Sequence, residues 1–494
     1  MTAIPTLNSI RPPTPYAANR RETPPATAAA IPSTIVSLSA EGQAAAQAAT
    51  EAQAAQRSPA VRFRDAGATL LESLKTRKTV GVEFQPVPTD ATHGFTLSVV
   101  TARGTKVDLS LATRGDGMAT QIAADAELNN DERDALAGLA QGFQDMIDGM
   151  ASDTPRIRLA GLAQLDTSVL QSIDVHAAVT LPVVPPATQA LDFHIDAEQR
   201  TMAADGPAGK VDVAVKTSTL ESLGSKAQQA KAIDGYLKQF DRAATRGHGD
   251  AGLMTMFKDA FSDLSRTAKQ DDPAGQVASK QGSVPGFWQL RREDRAALTG
   301  LADFSASITQ TPQYNNPVHR DEVDSFQYEV SQDTRADGKS RTDRTLAQAQ
   351  QSRLTARFHE PLQSGTPLAF SFAAETQNYT YHQIDDAALS NVELAYKDGK
   401  LRKATMAQSV TQSERIQQYV LGRVMSDKTI PAEQHLVRDL LAALSPYKVD
   451  EDGGTPDANS EAREARRQAS LDALGDQMFL LGGATDLAVR DRQL

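Results

Sequence analysis

The chain reads as an α+β protein in which antiparallel sheets are each covered by helices, behind a disordered N-terminal leader. Three observations carry that reading. Strand-like segments come in hairpin-like groups instead of alternating one by one with helices, which favours antiparallel over doubly wound sheets. Segments of helical periodicity, such as Asp131–Met150, stand between those groups. The first 60 residues show neither pattern.

Met1–Arg21 contains no acid, carries Arg11, Arg20 and Arg21, and is broken by Pro5, Pro12, Pro13 and Pro15. Such a segment buries too little apolar surface to offset the entropy of ordering it. After Pro24 and Pro25 comes one short apolar stretch, Ile35–Gly42, and then an Ala/Gln run to Gln56. A short apolar stretch in a free tail docks by ordering on a partner, so Ile35, Val36 and Leu38 are the candidate partner-binding residues.

From Val61 the pattern is one that can fold. Asp65–Arg77 places Leu70, Leu71 and Leu74 on one side of a predicted helix. Val80–Val87 and Phe95–Val100 read as strands, and Gly104 marks a turn before alternating Val107, Leu109 and Leu111. A single helix is predicted from Asp131 to Met150, with Leu136, Leu139, Phe143, Met146, Ile147 and Met150 at helical spacing. Ile173, Val175 and Ala177 resume alternation. Leu191–Ile195, Met202–Ala204 and Val211–Val215, separated by turn residues such as Asp205-Gly206-Pro207, form a predicted meander.

Ser222–Ala244 and Gly252–Ala268 are predicted helices, and Lys269–Pro285 a linker or long loop. In the second half Phe326–Val330, Leu354–Phe358, Leu368–Phe372 and Tyr379–His382 are predicted strands. Val392–Tyr396 and Leu401–Met406 flank Asp398-Gly399, a tight-hairpin signal. Helices over Pro431–Leu444 and Ser460–Leu480 are predicted to close the chain. The resulting division is a leader over 1–60, an α+β unit over 61–220, a helical segment and linker over 221–285, a β-rich unit with a leading helix over 286–425, and C-terminal helices over 426–494.

One internal echo stands out. Glu132-Arg133-Asp134-Ala135-Leu136-Ala137-Gly138-Leu139-Ala140 recurs as Glu293–Ala302 with one extra residue near its start. Two related units, or Ala/Leu-rich helices imitating each other by composition, both account for it.

Composition excludes several classes. The 494 residues carry a formal net charge of −11, which argues against a general nucleic-acid binder. There is no cysteine, so disulfides, thiolate metal sites and cysteine nucleophiles are ruled out. No run approaches the roughly 18 apolar residues of a membrane span, and the leader lacks the apolar core of a secretory signal.

The motifs that imitate sites resolve into ordinary structure. His194-Ile195-Asp196 and His319-Arg320-Asp321 could each present two ligands from one side of an extended segment, but without further ligands they read as polar pairs. Gly338-Lys339-Ser340 resembles the end of a phosphate loop, yet Asp333 stands where a glycine is needed and would repel phosphate. In Asp450-Glu451-Asp452-Gly453-Gly454 the last glycine occupies a position where a calcium loop needs an oxygen. Arg114-Gly115-Asp116 reads as a turn, and Trp288 as an anchor for the linker. No Gly-x-Ser-x-Gly elbow is present. No catalytic residue, cofactor or metal ligand is assigned.

Val36-Ser37-Leu38-Ser39-Ala40-Glu41-Gly42 resembles the Val-x-Leu-Ser-x-Glu-Gly stretch near the start of bacterial proteins of flagellar loci, many of unknown function. The extreme N-terminus, with Ala3, Ile4 and Pro5 before an acid-free polar stretch, is similar to the leaders of type III export substrates. These resemblances imply a bacterial, non-enzymatic interaction or structural accessory protein associated with the flagellum, its leader engaging a protein partner or export machinery. It would be cytoplasmic, or exported by a type III machine. The alternative they leave open is an exported effector whose activity lies in the β-rich second half.

Overall fold

The computed structural model describes residues 59–76, 91–266 and 290–444, with short gaps at 115–116, 165, 167, 182, 218–223, 291 and 341, then isolated positions from 465 and the run 477–492. The leader, the candidate residues Ile35, Val36 and Leu38, the expected strand Val80–Val87, Trp288 and the acidic loop at Asp450–Gly454 lie outside the described residues.

The expected helix-covered sheets are replaced by one continuous antiparallel sheet of thirteen strands. Strand outweighs helix, 46% against 27%, and the helices are too few to cover it. In chain order the strands are β1 (His93–Thr101), β2 (Lys106–Arg114), β3 (Gly117–Ala124), β4 (Leu170–Leu181), β5 (Ala187–Ile195), β6 (Gln199–Gly206), β7 (Gly209–Lys216), β8 (Phe304–Gln310), β9 (Ser325–Ser340), β10 (Asp343–Pro361), β11 (Tyr379–Lys397), β12 (Lys400–Val420) and β13 (Arg423–Asp439). Spatially they run β13-β12-β11-β10-β9-β8-β7-β6-β5-β4-β1-β2-β3, so all is meander except that β4 pairs with β1.

Among the described residues, the helices of five residues or more are α1 (Ala66–Glu72), α2 (Asn130–Gly138), α3 (Ala140–Met150), α4 (Lys226–Gly247), α5 (Ala251–Ser265), α6 (Arg292–Ala296) and α7 (Ala484–Arg492). The single helix expected over Asp131–Met150 is two, parted at Leu139. Asn129 caps the first in a capping box with Glu132. Ser225 and Asp250 accept the amides of Gln228 and Leu253 and start the long pair α4 and α5. This pair packs on the middle strands, where Tyr236, Phe240, Phe257 and Phe261 are buried with Phe304 and Tyr328.

Two related units do not emerge. The echoed segments bury matching positions, Glu132 with Asp294, Leu136 with Leu298 and Leu139 with Leu301. Yet β7 and β8 pair directly from Gly209↔Gln310 to Val215↔Phe304, and the main apolar cluster draws on strands from both sides of that seam.

Other elements differ for local reasons. The predicted helix over Pro431–Leu444 is mostly β13, paired with β12, and only Leu441–Leu444 is helical. Leu436 and Leu444 are buried as the helical reading required, but the ladder claims the backbone first. Leu368–Phe372 is irregular, with Phe370 packed on His359 and Tyr379. The Asp398-Gly399 turn forms as expected, both residues at positive φ. Gly338-Lys339-Ser340 ends β9 at the hairpin into β10.

Candidate functional site

The sheet's two faces differ in chemistry. One alternate set of side chains builds the apolar core; the other mixes charged, hydroxyl and small apolar side chains, and no helix lies over it among the described residues. Ten adjacent strands, from β1 to β12 in spatial order, line a single trough on that face of about 1150 Å3. A flat sheet encloses no volume, so the sheet bends toward this face.

Register sets the lining. Asp174-Val175-His176 on β4 and Asp192-Phe193-His194 on β5 put Asp and His on the trough side and Val175 and Phe193 in the core. Antiparallel pairing then matches Asp174 with His194 and His176 with Asp192. His194 Nδ1 lies 2.7 Å from Asp174 and its Nε2 3.1 Å from Asp196, while His176 Nδ1 lies 2.6 Å from Asp192. Burial works against a charged His194, but the bonds to Asp174 and Asp196 outweigh it and hold its pKa above the ordinary histidine value.

Farther across the floor stand Asp212 on β7, Glu329 on β9 and Arg353 on β10. Burial pushes the Asp212 carboxyl above its usual range. Arg353 is turned to Asp385 at 3.2 Å. The backbone N–H groups beneath these side chains are spent in the strand ladders, so this surface offers side-chain hydrogen bonds and charge, and no pair of free amides for an oxyanion.

A second cluster lies at one end of β10–β12. His359 donates or accepts through Nδ1 at 2.6 Å from Asp324 and through Nε2 at 3.1 Å from Glu322. Tyr379 donates its hydroxyl to Glu322 at 2.7 Å and receives a bond from Asn316. Burial opposes a charged imidazole, yet the two carboxylates hold the His359 pKa above its ordinary value. Burial likewise opposes ionisation of Glu322, and its bonds to His359 and the tyrosines hold it low. Both ring nitrogens are occupied, so His359 pins the loop carrying Glu322 and Asp324 onto the strands.

Of the residues weighed in the sequence, His194 and Asp196 do meet, with Asp174 as an unforeseen third partner. His319 packs its ring on Tyr419 instead of meeting Asp321. No His/Cys/Asp/Glu group with metal-holding geometry occurs among the described residues. The repeated Asp-apolar-His spacing of β4 and β5 was the signal for the trough, and it was readable. No described helix is long and apolar enough to cross a membrane. Comparison with protein-family models, with curated proteins and with solved structures found no match.

Proposed function

We propose that this is a non-enzymatic interaction protein that engages a protein partner through the trough. The observation that carries the reading is the trough itself: ten strands devote their solvent-side residues to one concave surface of mixed polar and apolar character. Concave surfaces of this extent are where proteins take ligands and partners. His194 has both ring nitrogens bonded to carboxylates, which suits a fixed recognition surface better than proton transfer.

Flagellar association is the biological setting proposed, on the strength of the Val36–Gly42 resemblance. Export by a type III machine, as accessory protein or effector, is the second setting, favoured by the acid-free stretch Met1–Arg21. A photo-crosslinking amino acid placed at Ser305, on the trough floor, tests the reading in bacterial cells. The expected result is a discrete adduct with one protein, lost when Ser307→Trp fills the floor. An adduct pattern no different from that of a crosslinker at exposed Lys238 on α4 would overturn it. Adducts composed of flagellar components would support the first setting, and recovery of the chain outside the cell only with a working export machine the second.

A further inference from the structure

One cross-strand row of the trough floor carries carboxylates on alternate strands. Asp192 on β5 pairs across to Ala203, Ala203 to Asp212, Asp212 to Ser307 and Ser307 to Glu329, so the three acids share one row across five strands. At about 4.8 Å per strand, the acid-bearing strands are about 9.6 Å apart. Ala203 and Ser307 keep the space between them open.

These carboxylates are unequally satisfied. Asp192 is bonded by His176, and Glu329 accepts from Gln327 at 2.8 Å. Asp212 has no hydrogen bond or ion pair among the described residues, and it feels only the more distant fields of Lys210 and Asp205. Arg353 is the one Arg or Lys lining the trough among those residues, and it is held by Asp385. With Asp174, Asp192, Asp212 and Glu329 set against Arg353, which stands opposite Glu329, the floor carries an excess of acidic over basic side chains in a concave, partly desolvated place, where the field is focused.

We infer that the trough's occupant is a basic segment of a partner protein, whose Lys or Arg side chains meet Asp192, Asp212 and Glu329. The inference rests on the trough's being the docking surface, as proposed above. A volume of about 1150 Å3 exceeds the roughly 300–1000 Å3 of small-molecule sites, which favours a peptide segment over a small amine. The one aromatic residue of the lining, Phe193, has its ring in the core, so no stacking platform for sugars or bases faces the trough. The same charge repels nucleic acid.

Fluorescence anisotropy with the full chain tests this, using labelled peptides in which Ser alternates with Lys, Gln or Glu. The Lys peptide alone is expected to bind, with affinity falling as salt is raised. Asp212→Asn with Glu329→Gln, which preserves shape, is expected to weaken it about ten-fold, and Ser307→Trp or Ala203→Trp to abolish it. Binding of the Gln peptide that is lost in Ser307→Trp would overturn the basic partner while leaving the trough as the docking surface. Lys-peptide binding untouched by Ser307→Trp, or no binding of the Lys peptide at all, would also overturn it. The crosslinking experiment at Ser305 decides the docking surface separately.

Discussion

Replacing His359 by Phe tests whether the imidazole buried at the end of β10 is charged. Phe keeps the ring volume and its aromatic neighbours Phe370, Tyr379 and Tyr381, so little cavity cost enters. What is lost is the partner of Glu322, whose side chain is 5% exposed, and of Asp324, at 21%. Breaking a buried ion pair from one side costs about 3–5 kcal/mol. Glu322 retains the Tyr379 hydroxyl, and Asp324 retains Asn315 and the residue 359 amide, so the low end, about 3 kcal/mol, is expected. That is a large share of the roughly 5–15 kcal/mol that holds a folded protein together. Urea unfolding followed by far-ultraviolet circular dichroism reads it as a lowered midpoint.

The pH dependence separates charge from packing. His359 is held above its ordinary value near 6.5, so its contribution is full below about pH 6.5 and fades as pH rises through the folded pKa. Glu322 is held below its ordinary value, so its contribution is full above about pH 4.5 and fades as pH falls through the folded pKa. The penalty of His359→Phe is therefore greatest between about pH 5 and 6.5 and shrinks by pH 9. A penalty below about 1 kcal/mol at pH 6, or one unchanged between pH 6 and 9, would refute the charged clamp.

Two further outcomes follow from the sheet. Cutting the chain within 218–223 leaves β7 and β8 as raw edges of two fragments, each missing half of a shared core. Each fragment is expected to aggregate alone and to become soluble on co-expression, as read by size-exclusion chromatography; two soluble, cooperatively unfolding pieces would show that the seam is dispensable. An NMR titration of His194 is expected to give a pKa above the ordinary histidine value that drops in Asp174→Asn, and an unmoved value would mean that the cross-strand pair does not persist in solution.

Much of the first half was legible because its strands are short and alternate cleanly. Phe95, Leu97 and Val99 of β1, or Val211, Val213 and Val215 of β7, bury every second residue, which is the pattern period-2 reasoning detects. The long strands β9–β12 were found only in fragments. Their core-facing residues change from apolar to amide along one strand: on β10, Leu346 and Leu354 flank Gln348, Gln350 and Ser352, all buried. These amides are inside because irregular backbone is inside with them. Gln348 accepts from the Thr299 amide, Gln332 donates to the Leu301 carbonyl, and Gln350 donates to the Met478 carbonyl while accepting from the Leu480 amide. Buried loop backbone needs such partners, and a glutamine run that supplies them is indistinguishable in sequence from a solvated one.

The same ambiguity hid the continuity of the sheet, since the 87 residues between Lys216 and Phe304 gave no sign that β7 and β8 would be neighbours. It also bears on where a partner binds. An open sheet has two edges, and long β13 would be the obvious one to extend with a strand from another chain. But Pro431, opposite Ser413 at the middle of β13, has no N–H to give, and Lys428 and Glu433 stand exposed beside it. Those are the devices by which sheets discourage pairing at an edge. The concave face has no such protection: its central strands carry Ala203, Ser305 and Ser307, which leave room, and Asp212, which makes no hydrogen bond or ion pair among the described residues. The proposed partner would therefore find room on the face, whereas the β13 edge discourages it.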